Sequence, residues 1–405
     1  MDLFLTIAAI GFWLLGGVLL CMVTYLLVLT LAAWLVPSRQ ASPKGPARHR
    51  FLFLIPAHNE EQLLPKLLAN LHRLDYPASH YAVHVVADNC TDRTAELARQ
   101  GGAVAHERFD QLQIGKGYAL QWLLTRVRAA GEPFDAAVII DADSVVSANF
   151  LRVMDQQLQQ GALVIQAYDG VLNPDRSWAV GLRAMAMAVL NYLRPLGRMP
   201  LGGSAGLKGN GMVFHRTILA QYAWSASVTE DIEYHMTLLL HGIRVQFAPA
   251  AVVWAEMPET LANSHTQNVR WEQGRLEMVR RYTPRLLRHA FFPGKGRPQI
   301  SAWVLLDALM DLLIPPFAIV AGVSLLFLAL APLLGGTVGV AVAIYLLVGQ
   351  LLYLLSGLLL TKAPGKVYLA LLYTPIFIVW KIWLYLRVLL RFERQGWVRA
   401  VRDSG

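Results

Sequence analysis

The side chains best suited to chemistry lie in short polar stretches scattered along the chain. IIDADSV (139–145) ends an apolar run with Asp141 and Asp143 one residue apart. On an extended segment residues i and i+2 face the same side, so both carboxylates can address one metal ion or one ribose. A hard ion such as Mg2+ takes one or two protein carboxylates and completes its shell with phosphate oxygens. TED (229–231) adds Glu230 and Asp231, and an ionised carboxylate at a crevice can withdraw a hydroxyl proton as a bond forms. QNVRW (267–271) adds Gln267, Arg270 and Trp271; a permanently charged fork suits a phosphate, and an indole face suits a sugar ring. Lys116 stands between glycines in GKG (115–117), a mobile cation of use to a phosphate. IPAHNEE (55–61), with Pro56, Asn59 and Glu60, and VVADNCTDRT (85–94), with Asp88, complete the set. Each has a plainer reading. Acids after strands cap helices, with Asp88 or Thr91 capping one that starts near Asp92; arginines form salt bridges, tryptophans pack, and Gly-Lys-Gly makes solvated turns.

Something must hold these stretches together. The apolar runs 51–57, 82–87 and 136–140 alternate with helical periodicity over 60–73 and 115–130, which predicts a mostly parallel, layered α/β sheet. Loops leaving the carboxyl ends of such strands form the ligand crevice, and those loops carry nearly all the acids above. The glycines of GLKGNGMVF (206–214) would let backbone approach a ligand there, or simply make a turn.

Composition sets the surroundings. Of 405 residues, 55% are hydrophobic and 16% charged, too apolar for an ordinary soluble enzyme. Residues 3–36 hold no charge, enough to cross a bilayer core of about 30 Å, and a basic linker (37–50) follows. The middle, 51–290, has globular composition, which excludes a bare bundle of membrane helices. Leu312–Leu334 and Val338–Leu360 are two uncharged stretches joined by GGT, a membrane hairpin within 291–361. In 362–405, residues 367–390 are interrupted by Lys381 and Arg387 and read as an interfacial helix before a basic tail. Residues 176–199 read either as a surface-lying helix or as a buried amphipathic one. The net charge of +9 comes mostly from the two flanks; basic clusters beside apolar spans follow the positive-inside bias, so nucleic acid is not needed to explain them. Cys21 and Cys90 form no disulfide scaffold, and the histidines lack zinc spacing.

Read in order between membrane segments, IPAHNEE, Asp88, GKG, DAD, TED and QxxRW resemble the membrane-embedded inverting glycosyltransferases of family 2, the group of cellulose, hyaluronan and poly-N-acetylglucosamine synthases. The resemblance covers about residues 51–290 by motif and the flanks by layout. It implies a GT-A fold, a Rossmann-like mixed sheet, with transmembrane and interfacial helices. It implies a nucleotide-sugar donor, commonly a UDP-sugar, a saccharide acceptor, and Mg2+ or Mn2+. Asp88 then corresponds to the nucleoside-binding acid, Asp141 and Asp143 to the DxD pair with Asp143 the metal ligand, and Asp231 to the general base. Lys116 and Arg270 would face the diphosphate; Gln267 and Trp271 would lie near the acceptor. The layout implies an integral protein of a bacterial plasma membrane with its catalytic domain in the cytoplasm. FFPGKGRPQI (291–300) stands where the polymer synthases carry a gating segment. Ceramide glucosyltransferases share the motif order, so a lipid acceptor is the alternative, and a nucleotide-binding transporter or scaffold is a third reading.

Overall fold

The computed structural model describes residues 2–37, 43, 45–224, 229–260, 265–292 and 300–390. Much of the basic linker, residues 293–299 and the tail from 391 therefore lie outside the described residues. Eight strands form one sheet: β1 (Phe51–Ala57), β2 (Tyr81–Asp88), β3 (Val104–Arg108), β4 (Ala136–Ile139), β5 (Ser144–Val146), β6 (Val164–Val171), β7 (Met212–His215) and β8 (Gln246–Ala255), in the order β3-β2-β1-β4-β7-β6-β8-β5. The first four are parallel to one another. β7 is antiparallel to both β4 and β6, β5 is antiparallel to β8 and β6 is parallel to β8, so the sheet is mixed, as the family resemblance implies. β1 and β4 are buried on both faces, as continuous apolar strands in a covered sheet must be.

The helices are α1 (Asp2–Trp34), α2 (Leu64–Leu71), α3 (Thr94–Gln100), α4 (Lys116–Ala129), α5 (Phe150–Gln159), α6 (Trp178–Met187), α7 (Arg194–Arg198), α8 (Arg216–Gln221), α9 (Glu230–Leu240), α10 (His265–Phe291), α11 (Ala302–Leu313), α12 (Phe317–Leu334), α13 (Gly336–Thr361), α14 (Gly365–Leu369) and α15 (Thr374–Leu390). Among the described residues four helical stretches are long and apolar enough to cross a membrane: Leu3–Trp34, Phe317–Leu334, Gly336–Thr361 and Gly365–Val388. The second starts later than predicted. Pro315 and Pro316 cannot continue a helix, so Leu312 and Leu313 belong to α11 and the span begins at Phe317. The last covers the segment expected to be interfacial; Lys381, one of the charges behind that expectation, is turned into protein and 6% exposed.

Of the two readings of 176–199, the structure has the buried one. The π-helical turn Ala188–Leu193 and α7 pack between the sheet and the apolar helices. At Gly197 a β-carbon would fall 2.1 Å from the Leu29 carbonyl oxygen, so only glycine lets α7 lie against α1. The arginines here are paired. Arg198, 1% exposed, meets Asp307 at 3.1 Å and Asp311 at 2.7 Å, and Arg194 meets Asp311 at 3.1 Å. Tyr25 of α1 donates to Asp307 at 2.6 Å, and Arg194 donates to Tyr353 of α13 at 2.7 Å. Buried charges require such partners.

Candidate active site

Two features of the sheet gather the acids. β1, β2 and β4 run parallel and end at one edge, so the loops after them open side by side. β7 runs the other way, with Met212 opposite Ile139, so the chain entering β7 arrives beside the residues leaving β4. There the Asp141 N–H donates to Asn210 Oδ1 at 3.2 Å. Lys116, at the head of α4, donates to Asp141 Oδ1 at 2.5 Å and to the Gly209 carbonyl at 2.6 Å. Gly209 takes φ of +81°, and a methyl group on it would stand 3.4 Å from Asp231 Oδ2 and 3.9 Å from Lys116 Nζ. Three distant motifs thus meet within a few ångströms.

Glu230 and Asp231 open α9 near Lys116, Glu230 buried and Asp231 half-buried. Burial pushes the Glu230 carboxyl up to about 7 against the pull of Lys116, with Asp231 adding to the rise. Burial also raises Asp231, opposed by the Ile232 N–H, Lys116 and Lys208. Burial disfavours the Lys116 charge, but Asp141, Glu230 and Asp231 outweigh it and hold the ammonium above its usual range. Arg270, on α10, is lowered by burial while Glu230 and Asp141 pull it back, so it lies within electrostatic range of the same acids. Trp271 is 41% exposed beside it. Gln267 lies in α10, with its side chain outside the described part. α10 approaches TED closely because of Gly274, where a β-carbon would fall 2.1 Å from Thr229 Cγ2; Arg281 of α10 is also ion-paired with Glu233 of α9.

A second group borders this cluster. Asp88 is the last residue of β2, and its Oδ1 accepts from Arg108 Nη1 at 2.6 Å. Burial pushes the Asp88 carboxyl up against the pull of Arg108. Arg108 also donates to Asp110 at 3.0 Å and to the Gln113 carbonyl at 2.8 Å, which fixes the guanidinium that holds Asp88 Oδ1. Asn59 adopts φ of +54°, and its Oδ1 accepts from the Thr91 N–H at 2.8 Å. The Glu60 N–H donates to Thr94 Oγ1 at 2.8 Å. Pro56 is tolerated in a central strand because pairing of β1 with β4 ends at Leu54. The capping expectation is corrected: α3 begins at Thr94, and Asp92, whose Oδ1 accepts from the Thr94 N–H at 3.0 Å, makes that turn rather than Asp88 or Thr91.

Asp143 follows Asp141 on the same turn and accepts from Ser144 Oγ at 3.3 Å. Among the described residues no group of three or more His, Cys, Asp or Glu side chains could hold a metal ion by itself. The donor set that is there, two carboxylates on one turn, fits a hard divalent ion that takes its remaining ligands from phosphate.

Asp169 stands in no motif, and Lys208 and Asn210 lie in GLKGNGMVF, of which only the glycines were read. Asp169 of β6 is buried, and burial together with Asp141 and Asp143 pushes it well above the usual carboxylate range. Asn210 Nδ2 lies 3.3 Å from Asp169 Oδ1 and 3.0 Å from Ser144 Oγ, linking Asp169 to the turn that bears Asp141 and Asp143. Burial lowers Lys208, opposed by Asp311 and Asp231. The available signal was an acid inside an apolar run, VIQAYDGV (164–171), which must have a polar partner.

A beta-monoglucosyldiacylglycerol synthase of Nostoc sp. is 28% identical over 306 residues, covering 71% of this chain and 61% of that protein. A poly-beta-1,6-N-acetyl-D-glucosamine synthase of Staphylococcus aureus is 25% identical over 232 residues, 56% of this chain and 55% of that one. The chain thus spans between half and two thirds of these relatives. The solved mannosyltransferase of Pyrobaculum calidifontis, in complex with GDP-Man and Mn2+, matches 84% of this chain and 98% of its own at 18% identity and a TM-score of 0.48. The sequence model of glycosyltransferase like family 2 matches residues 48–274, from just before β1 into α10 and from Asp88 through Lys116, Asp141, Asp143 and Asp231 to Trp271. On that match the chain belongs to the glycosyltransferase-like family 2.

Proposed function

We propose that the protein is a membrane-bound, inverting glycosyltransferase with a GT-A catalytic domain. It moves a hexose from a nucleotide sugar, a UDP-sugar in the first instance, to the hydroxyl of a growing saccharide at the membrane surface. The observation that carries this is the meeting of Lys116, Asp141, Glu230, Asp231 and Arg270 at one crevice: two cations that can hold a diphosphate stand beside two carboxylates that can accept a proton. In this reading Asp88 accepts from the nucleoside, with Pro56, Asn59 and Glu60 shaping the wall beside it. Lys116 and Arg270 neutralise the diphosphate, and Gln267 and Trp271 receive the acceptor sugar. Asp231 takes the acceptor hydroxyl proton as its oxygen bonds to the anomeric carbon from the face opposite the departing phosphate oxygen. The nucleoside diphosphate leaves with the electrons of the broken C–O bond. Asp143, with Asp141, would hold Mg2+ or Mn2+, which when bound supplies positive charge to the diphosphate. The basic linker after α1 supports a cytoplasmic position for the catalytic domain at a plasma membrane.

A second reading, transfer of a single sugar to a lipid hydroxyl, is favoured by one observation. The match to the diacylglycerol-type synthase covers 71% of this chain, more than the 56% shared with the polymer synthase. Purified protein in a bilayer, incubated with a panel of labelled nucleotide sugars, separates the two: a product carrying one sugar that partitions into organic solvent indicates the lipid, and a ladder of sizes the saccharide. Asp231→Asn should keep donor binding and lose about 10²- to 10⁴-fold in transfer. Wild-type turnover in that variant would remove Asp231 from the base position.

A further inference from the structure

We propose that Lys381 and Glu272 form a clamp through which the last apolar helix positions the Arg270- and Trp271-bearing face of α10. They are positioning residues, and the inference rests on the reading of Arg270 given above. Lys381 lies within a segment long enough to cross a membrane, where an ionised side chain is costly unless paired. Packing alone would be served by an apolar residue. Its hydrogen-bonding and ion-pair partners are on α10: Glu272 Oε1 at 3.0 Å and Asn268 Oδ1 at 3.0 Å. The other Glu272 oxygen meets Arg275 Nε at 3.4 Å. Arg275 in turn donates to the Leu312 and Ile314 carbonyls at 3.3 and 2.9 Å, where α11 ends before the two prolines, and to Tyr385 Oη at 3.3 Å. At the start of α10, the His265 ring centroid is 5.9 Å from that of Trp383.

Helical spacing connects this anchor to the site. At about 100° per residue, 268, 272 and 275 share one face of α10, and 267, 270 and 271 share the adjoining one. Fixing the first face in azimuth fixes where Arg270 and Trp271 point. Gly274 and Arg281 tie the same helix to α9, so α10 is held between the TED turn and α15.

The test uses the full chain in lipid nanodiscs. Lys381→Met keeps the length and removes the charge; Glu272→Gln is the gentler second variant and leaves Lys381 an amide acceptor. Each should lower kcat by about 10- to 100-fold while raising the donor KM by less, because Asp88 and Lys116 are carried by the sheet side. Lys381→Arg should retain most of the turnover. The decisive reading is a cycle with Arg270→Ala: if the clamp acts through Arg270, Lys381→Met costs little further in that background. Losses that multiply would overturn the clamp alone, as would wild-type kcat in both Lys381→Met and Glu272→Gln. Wild-type turnover in Arg270→Ala would overturn the active-site reading and the clamp with it.

Discussion

Gly274→Ala tests the placement of α10 most directly, because the size of the effect can be worked from contacts. The new β-carbon would fall 2.1 Å from Thr229 Cγ2, 3.1 Å from its Oγ1 and 3.2 Å from its Cβ. Carbon atoms pack at about 3.5–4.0 Å, so more than about 1 Å must be found. Thr229 cannot supply it easily: the residue is buried, β-branched and stiff at χ1, and it directly precedes Glu230. Either the TED turn or α10 has to move, and a shift of that size in a positioned group costs about 10²-fold in rate. The stability cost of such overpacking is about 1–3 kcal/mol. Transfer of labelled sugar gives the rate, and calorimetry with the nucleoside diphosphate gives donor-side binding, which should persist. Combining Gly274→Ala with Thr229→Ser removes the methyl that clashes and should restore most of the rate. Wild-type turnover in Gly274→Ala, or a folded double variant as slow as the single one, would refute the proposed fit of α10 against TED.

Two other outcomes follow from the same site. Burial raises both carboxyls of TED, Glu230 to about 7; a carboxyl raised in this way ionises only above the ordinary carboxylate range. Proton acceptance by Asp231 is therefore lost as pH falls through a range above the ordinary carboxylate one, and kcat/KM should bend there, with Glu230→Gln moving the bend to lower pH by removing a like charge. A wild-type bend in the ordinary carboxylate range would contradict the buried pair. Excess chelator should abolish transfer and Mg2+ or Mn2+ restore it, with Asp143→Asn requiring more metal; full activity under chelation would end the assignment of Asp141 and Asp143.

The central strands were legible in the sequence because burial on both faces makes them continuous apolar runs, and the predicted ranges for β1, β2 and β4 fall within a residue of those observed. The rest of the sheet carries weaker signals. β3 is a polar edge strand, VAHER, and β7 has four residues. β8 contains Pro249, which reads as a strand breaker; the register with β6 jumps from Ala248 to Val252, so the proline falls in a bulge. The site followed the same rule. Lys116, Asp141, Asp231 and Arg270 stood in ordered motifs and Asn210 in the glycine-rich 206–214, whereas Asp169 is joined to them through Asn210 because β7 reverses direction beside β4, a fact of strand order that local sequence does not encode. Asp307 and Asp311 were passed over because their partners, Arg194 and Arg198, lie more than 100 positions away.

Those four charges bear on how the catalytic domain and the apolar helices form one unit. Breaking one such pair is costly, yet a buried set often adds little net stability over an apolar substitute. What it imposes is geometry: Arg198 is satisfied by Asp307, Asp311 and Tyr25 together, and Arg194 by Asp311 and Tyr353, so α7 has one registration against α1, α11 and α13. The array also reaches the site. Burial would raise Asp311, but Arg198, Lys208 and Arg194 outweigh it and hold it well below the usual carboxylate range. Lys208 feels both Asp311 and Asp231. A displacement of α7 or α11 therefore changes the charge facing Lys208, and through Lys208 the charge facing Asp231. The apolar helices thereby help set the electrostatic environment of the acid that opens α9, which is a reason for ionised side chains to be retained at this buried junction where leucines would pack as well.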